Sequence, residues 1–190
     1  HFQYDTPYGR TAIKHDGSCL GSLSGGVNDW QLSVYDRDFT TPNWLKGGLI
    51  YQIFPDRFYF SGESKKDIPS GRVLRSDFDG EPMWKPTPDG RVLNNDYFQG
   101  DLKGIEKKLD YIESLGATCI YLNPIFKAYS NHRYDTGDYM SIDPLLGCEA
   151  DLINLINKAD EHGIKIILDG VFNHTGDDSK YFNRYGKYKN

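Results

Sequence analysis

Over residues 48–168 three short apolar runs alternate with two amphipathic stretches, an order that few architectures accept. Residues 49–54, Leu-Ile-Tyr-Gln-Ile-Phe, form a nearly continuous apolar run stopped by Pro55, which predicts a strand buried on both faces. Leu102, Ile105, Leu109, Ile112 and Leu115 then recur at helical spacing, and Gly116 stands where a helix-ending glycine belongs. Residues 118–122 are the second apolar run, ended by Asn123-Pro124. Leu152, Ile153, Leu155, Ile156 and Ala159 mark a second amphipathic helix closed by Gly163, and residues 164–168 are the third run. The order βαβαβ predicts an α/β fold with a parallel sheet and right-handed crossovers.

The connections are lopsided. Each helix meets its next strand within a residue or two, whereas the segments after the first and second strands run over about residues 55–100 and 123–148. Loops of that size inside a compact domain are usually functional, and these lie at the carboxyl ends of parallel strands, where α/β proteins keep their active sites. The asymmetry points to an enzyme.

Residues 1–46 have a different texture. Short polar-aromatic stretches alternate with turn signals at Gly9, Gly17, Gly21 and Gly25-Gly26. Trp30, Leu32 and Val34 at period two predict one face of a further strand. Two or three strands bury little alone, so the segment reads as the end of an all-β domain followed by a polar linker. The chain opens on His1 with neither an initiator Met nor a signal profile, and reads as starting inside a longer protein.

Composition narrows the partners. No apolar run approaches the roughly 20 residues of a membrane-spanning helix. The 22 basic and 27 acidic residues contain no basic block, which argues against a nucleic-acid partner. Cys19, Cys119 and Cys148 are far apart and odd in number, so a disulfide framework or zinc site is not expected, and a reducing compartment such as the cytoplasm is favoured.

Two clusters carry candidate chemistry. Residues 131–139, Asn-His-Arg-Tyr-Asp-Thr-Gly-Asp-Tyr, follow the second strand; His132, Asp135 and Asp138 at three-residue steps read either as metal ligands or as a loop tied down by its own polar groups. Residues 169–174, Asp-Gly-Val-Phe-Asn-His, end the third strand, so Asp169 and His174 must find polar partners near an apolar surface.

The second cluster resembles the Asp-x-Val-x-Asn-His motif of the α-amylase superfamily, glycoside hydrolase family thirteen. Residues 51–58, Tyr-Gln-Ile-Phe-Pro-Asp-Arg-Phe, are similar to that family's first strand; residues 98–105, Phe-Gln-Gly-Asp-Leu-Lys-Gly-Ile, to its first helix entry; residues 116–126 to its second strand; and residues 131–139 to the loop after it. The matches are collinear over about residues 30–175 and look most like the neopullulanase, cyclomaltodextrinase, maltogenic amylase and amylopullulanase branch.

The resemblance implies the first three strands and two helices of a (β/α)₈ TIM barrel over residues 47–175. Residues 1–46 would end a β-sandwich domain, and residues 176–190 would begin a small domain inserted after strand three. It implies a retaining hydrolase of starch, pullulan or cyclodextrin type α-glucans. Tyr134 would stack on the sugar beside the scissile bond, His174 would hydrogen-bond its 6-hydroxyl, and His132 and Asp135 would support that subsite. Asp169 and Asn173 would brace it. The catalytic carboxylates belong to later strands, so no catalytic residue is expected in this chain, which alone would be inactive and would need the remainder of the barrel as partner. Asp177-Asp178 reads as solvated loop acids. No cofactor is expected; Gln99, through its carbonyl, and Asp101 match two family calcium ligands, but Lys65 and Lys66 make the neighbouring loop a poor calcium cage. The alternatives are a non-catalytic amylase-like carbohydrate-binding or interaction module, and a small phosphate-binding α/β domain, which lacks the glycine-rich loop it would need.

Overall fold

The computed structural model describes residues 1–17, 20–23 and 29–188. They divide into two compact units, His1–Thr41 and Pro42–Asn190. Cys19 and the Gly25-Gly26 turn signal lie outside the described residues.

The first unit is a small antiparallel sheet of β1 (Phe2–Thr6), β2 (Gly9–His15) and β3 (Gly21–Ser22), with Phe2 opposite Ile13. The expected strand at Trp30 does not form: residues 29–35 pair with nothing in a ladder, and Leu32 and Val34 are 85% and 88% exposed. Alternation specifies a strand only where a neighbour accepts its backbone bonds and a core accepts one face, and neither is provided here. Trp30 packs instead on Phe2 and His15, with ring centroids at 5.4 and 5.8 Å.

The second unit carries the expected parallel sheet. A 3₁₀ turn at Asn43–Leu45 leads to β4 (Leu49–Ile53); β5 (Val73–Leu74) and β6 (Asp96–Tyr97) pair within the first long connection. Helices α1 (Leu102–Glu106) and α2 (Leu109–Ser114) precede β7 (Ala117–Leu122). The second long connection holds an antiparallel hairpin of β8 (Phe126–Ala128) and β9 (Thr136–Ile142), so much of what reads as loop is strand. Helix α3 (Glu149–Glu161) and β10 (Lys165–Leu168) follow. The sheet order is β10-β7-β4, all parallel. Its core is Ile53, Ile120 and Leu122 packed on Leu102, Ile105, Leu109, Ile112, Leu155 and Ala159.

Two expectations need correction. β4 is not buried on both faces: Leu49 and Ile50 are 48% and 46% exposed, because β4 lies at the edge of the sheet and only β7 flanks it. The first helix is two helices. At Lys108 the backbone opens to φ −109°, ψ 8°, and its N–H bonds to Ile105 at 2.9 Å, a tightened turn. The break keeps Leu102, Ile105, Leu109 and Ile112 in the core. It also directs both lysines to the connection after β4: Lys107 Nζ donates to the Ser61 carbonyl at 2.7 Å, and Lys108 Nζ stands 4.2 Å from the Tyr59 ring centroid.

Two glycines set how closely that connection approaches α1. A Cβ on Gly104 would lie 1.9 Å from the Tyr59 carbonyl oxygen, and one on Gly100 would lie 2.2 Å from that of Pro55. Asp101 caps α1, its Oδ1 accepting from Gly104 N at 2.7 Å. At the other helix ends Gly116 and Gly163 take φ of +78° and +69°, as their expected positions require.

Candidate functional site

The three parallel strands end level, since Ile53 and Leu168 are both register partners of Leu122. The ladder extends one step further, through Asn123 N to the Ile53 carbonyl at 2.9 Å and Asp169 N to the Leu122 carbonyl at 3.1 Å. Asn123 and Asp169 therefore stand on the rim, and Gln52 Nε2 donates to Asn123 Oδ1 at 2.7 Å.

The hairpin β8–β9 brings residues 130–135 to this rim. Tyr134 donates its hydroxyl to Asp169 Oδ2 at 3.0 Å. Burial, and then the Asp169 carboxylate, pushes the Tyr134 phenol above its ordinary value, and the same two causes act in the same order on Tyr121. The His132 ring lies 6.0 Å from that of Tyr134 with an interplanar angle of 32°. His132 Nδ1 accepts from the Tyr134 backbone N–H at 3.1 Å, which fixes the neutral imidazole with its proton on Nε2. Burial lowers the His132 pKa, in keeping with that role.

Ser130 ties the turn together, and its place in the chain gives no sign of this. Its backbone N–H donates to Asp135 Oδ2 at 3.1 Å, its hydroxyl donates to Asp135 Oδ1, and its Oγ accepts from Arg133 N at 3.1 Å. Asp138 turns away, to Lys180 Nζ at 2.5 Å. His132, Asp135 and Asp138 do not converge as a metal site. Among the described residues the group that does is Asp110, Glu113 and His162, on α2 and just past α3, away from the rim.

Beneath the turn lies a buried charged knot, also not foreseen. Arg133 is fully buried with φ +62°; its guanidinium donates to the Asn131 carbonyl at 2.8 Å and approaches Asp143 Oδ1 at 3.4 Å. Arg72 reaches Asp143 through two bonds of 2.8 and 2.7 Å. Burial raises the Asp143 carboxyl, but Arg133 and Arg72 outweigh it and hold the group below the carboxylate range. The Tyr97 ring lies 4.9 Å from the Arg72 guanidinium and 5.5 Å from that of Arg133. Arg72 and Asp143 are 71 residues apart, and no local pattern announces such a pair.

The segment after β10 is held from the hairpin. The Tyr139 hydroxyl reaches the carbonyls of Val171 and, at 2.9 Å, His174. His174 and Asn173 are exposed, and Asn173 Nδ2 donates to His174 Nδ1 at 2.6 Å. Tyr134 and Asp169 are thus joined directly, with His132 and Asp135 behind Tyr134, while the His174 carbonyl is bonded to Tyr139 of the hairpin. A cleft of about 540 Å³ adjoins the turn, lined by Tyr129, His132, Asp135, Asp177, Asp178 and Tyr185 among others. Asp177 accepts from the Tyr185 hydroxyl at 2.8 Å.

Asp101 and Gln99 were the calcium candidates. Asp101 Oδ1 is occupied by Gly104 N, and Oδ2 by Ser61 Oγ at 2.7 Å and by Lys65 Nζ. Gln99, at φ +71°, gives its N–H to Asp56 Oδ1 at 3.3 Å. A carboxylate already holding an ammonium does not fit a divalent cation at the same oxygen.

A sequence model described as "Alpha amylase, catalytic domain" matches residues 52–190. The amylopullulanase of Thermoanaerobacterium thermosulfurigenes is 49% identical over 183 residues, 89% of this chain and 10% of that protein. Neopullulanase 2 of Thermoactinomyces vulgaris is 45% identical over 139 residues, 73% of this chain and 22% of that protein. The chain therefore spans between about a tenth and about a fifth of the length of these relatives. Among solved structures, the cyclic α-maltosyl-(1→6)-maltose hydrolase of Arthrobacter globiformis, in complex with cyclic α-maltosyl-(1→6)-maltose, superposes with a TM-score of 0.59 at 42% identity, over 76% of this chain and 29% of that one.

Proposed function

Because the chain belongs to the alpha-amylase catalytic-domain family, whose fold is the TIM barrel, we propose that it is the first part of a retaining α-glucan hydrolase acting on starch, pullulan or cyclodextrin type substrates. In this reading β4, β7 and β10 are the first three barrel strands, with α1–α2 and α3 as their crossovers. Residues 1–46 end a β-sandwich domain, and residues 176–190 begin a small domain after the third strand. The names of the relatives, an amylopullulanase, a neopullulanase and a maltosyl-maltose hydrolase, support the substrate class.

The observation that carries the reading is the bond from Tyr134 to Asp169. It holds an aromatic face at a fixed angle above the strand ends, and the apolar face of a glucosyl unit suits such a ring. Tyr134 stacks on the sugar beside the scissile bond, and His174 bonds its 6-hydroxyl. His132 and Asp135 keep the turn in shape, while Asp169 and Asn173 brace the strand end. Retention requires a nucleophile and an acid about 5–5.5 Å apart across that sugar. Both are assigned to strands that follow the third, so the 190-residue polypeptide alone is expected to be inactive.

Calorimetry with maltooligosaccharides on the full-length protein tests the binding role. Tyr134→Ala should weaken binding at least tenfold, as loss of a stacked ring does; unchanged affinity would sink the assignment. Turnover of pullulan, starch or cyclodextrin by the purified 190-residue polypeptide would overturn the expected inactivity.

A further inference from the structure

Lysine is almost never buried without a partner. Lys65 is buried: its side chain is 6% exposed and that of Asp101, to which Nζ donates, is 5% exposed. The ammonium also stands 5.3 Å from the Phe60 ring centroid.

The oxygens around it are arranged as if for a cation. Asp101 Oδ2 receives Lys65 together with the Ser61 hydroxyl, and Ser61 Oγ in turn accepts from Glu63 N at 3.3 Å. A second lysine, Lys107, donates to the Ser61 carbonyl at 2.7 Å. Asp101 meanwhile caps α1, so the charge on Lys65 joins the connection after β4 to the start of the first crossover helix. A cavity of about 340 Å³, lined by Glu63, Lys65, Lys66, Asp101, Lys103 and Asp151 among others, opens the place to solvent.

We propose that the Lys65 ammonium is the resident cation of this connection, so that its order requires no divalent metal, and that removing the ammonium lets calcium take its place against Asp101 and Ser61. A tethered ammonium neutralises the same carboxylate that a hard cation would seek. With Lys65 shortened, the buried Asp101 carboxylate and the Ser61 hydroxyl remain beside an open cavity, while Glu63 Oε2 stays with Lys103 Nζ at 2.7 Å. The inference rests on this cluster alone and does not depend on the proposed activity.

The test is thermal melting of the full-length protein in EDTA and in millimolar calcium, for wild type, Lys65→Ala, Lys65→Arg and the double variant Lys65→Ala/Asp101→Asn. Lys65→Ala is expected to lose on the order of 5 °C in EDTA, and calcium to return about half of that loss. Lys65→Arg, which keeps the charge, should respond to calcium as the wild type does, and the double variant should gain nothing from it. Should Lys65→Ala not fold, Lys65→Gln, which keeps the stem without the charge, gives the same readout. A wild type as calcium-responsive as Lys65→Ala overturns the proposal. So does a Lys65→Ala or Lys65→Gln variant whose melting temperature is the same in EDTA and calcium, or a double variant that calcium still rescues.

Discussion

The Tyr134 hydroxyl donates to Asp169 Oδ2 at 3.0 Å, and this bond between residues 35 apart joins the β8–β9 hairpin to the end of β10. It separates two jobs of one side chain, since the ring and the hydroxyl can be removed independently. Tyr134→Phe keeps the ring and should cost about 1.5–3 kcal/mol of stability, the range for a hydrogen bond to a charged acceptor, while weakening maltooligosaccharide binding less than Tyr134→Ala does. Denaturant melts and calorimetry on both variants check this; equal loss of binding would mean that the ring contributes nothing.

His132 predicts a response to acid. Its Nδ1 accepts the Tyr134 N–H, and burial holds its pKa below the ordinary 6.5. The folded protein therefore takes up this proton at lower pH than the unfolded chain does. The contribution is complete above 6.5 and is lost as pH falls through the lowered folded value. Melting temperatures measured from about pH 7.5 to about pH 5 should fall more steeply for wild type than for His132→Asn, whose amide oxygen still accepts the bond. Parallel slopes would refute it.

The Arg72–Asp143–Arg133 knot should be the costliest place to leave one charge alone. Asp143→Ala strands two buried guanidiniums and is expected to destabilise by about 3–5 kcal/mol, seen in the denaturant midpoint. Asp143 is held below its ordinary 3.8, so its contribution is present above that pH and disappears as pH falls through the lower folded value. A loss under about 1 kcal/mol would show that the cluster is far more solvated than its burial indicates.

What could be read from the chain was what repeats along it. The three strands, and the glycines that end α2 and α3, carry period and punctuation within a dozen residues, and each stands within a residue or two of its expected place. Ser130, Arg72 and Asp143 carry neither, because their partners come from other elements and the pairing exists only after folding. Trp30 shows the converse failure: a clean alternation with no neighbouring strand to receive it. The break at Lys108 leaves the apolar spacing intact, so periodicity could not register it.

Gly104 offers a steric test. Gly104→Ala drives a Cβ into the Tyr59 carbonyl and should cost about 2 kcal/mol or more, against about 1 kcal/mol for Gly116→Ala, where only a positive φ is at stake. Chemical denaturation of the pair ranks them, and the reverse order would show that the connection after β4 yields easily.

Tyr139→Phe removes the hydroxyl that reaches the Val171 and His174 backbone carbonyls and leaves every side chain assigned to the sugar in place. Activity of the full-length protein should fall through kcat/KM by about tenfold, the effect of about 1.4 kcal/mol, as His174 loses its fixed position. A variant with unchanged kinetics would remove Tyr139 from the positioning of that histidine.

Level strand ends make the sheet a ruler. With Ile53, Leu122 and Leu168 abreast, each residue that follows is delivered at the same height and at lateral steps of about 4.8 Å, the spacing of neighbouring strands. Backbone hydrogen bonds, rather than any side chain, thus set the pitch at which Asn123 and Asp169 meet whatever lies above them. A single residue deleted from β7 would draw Asn123 into the place of Leu122 and misalign the whole scale.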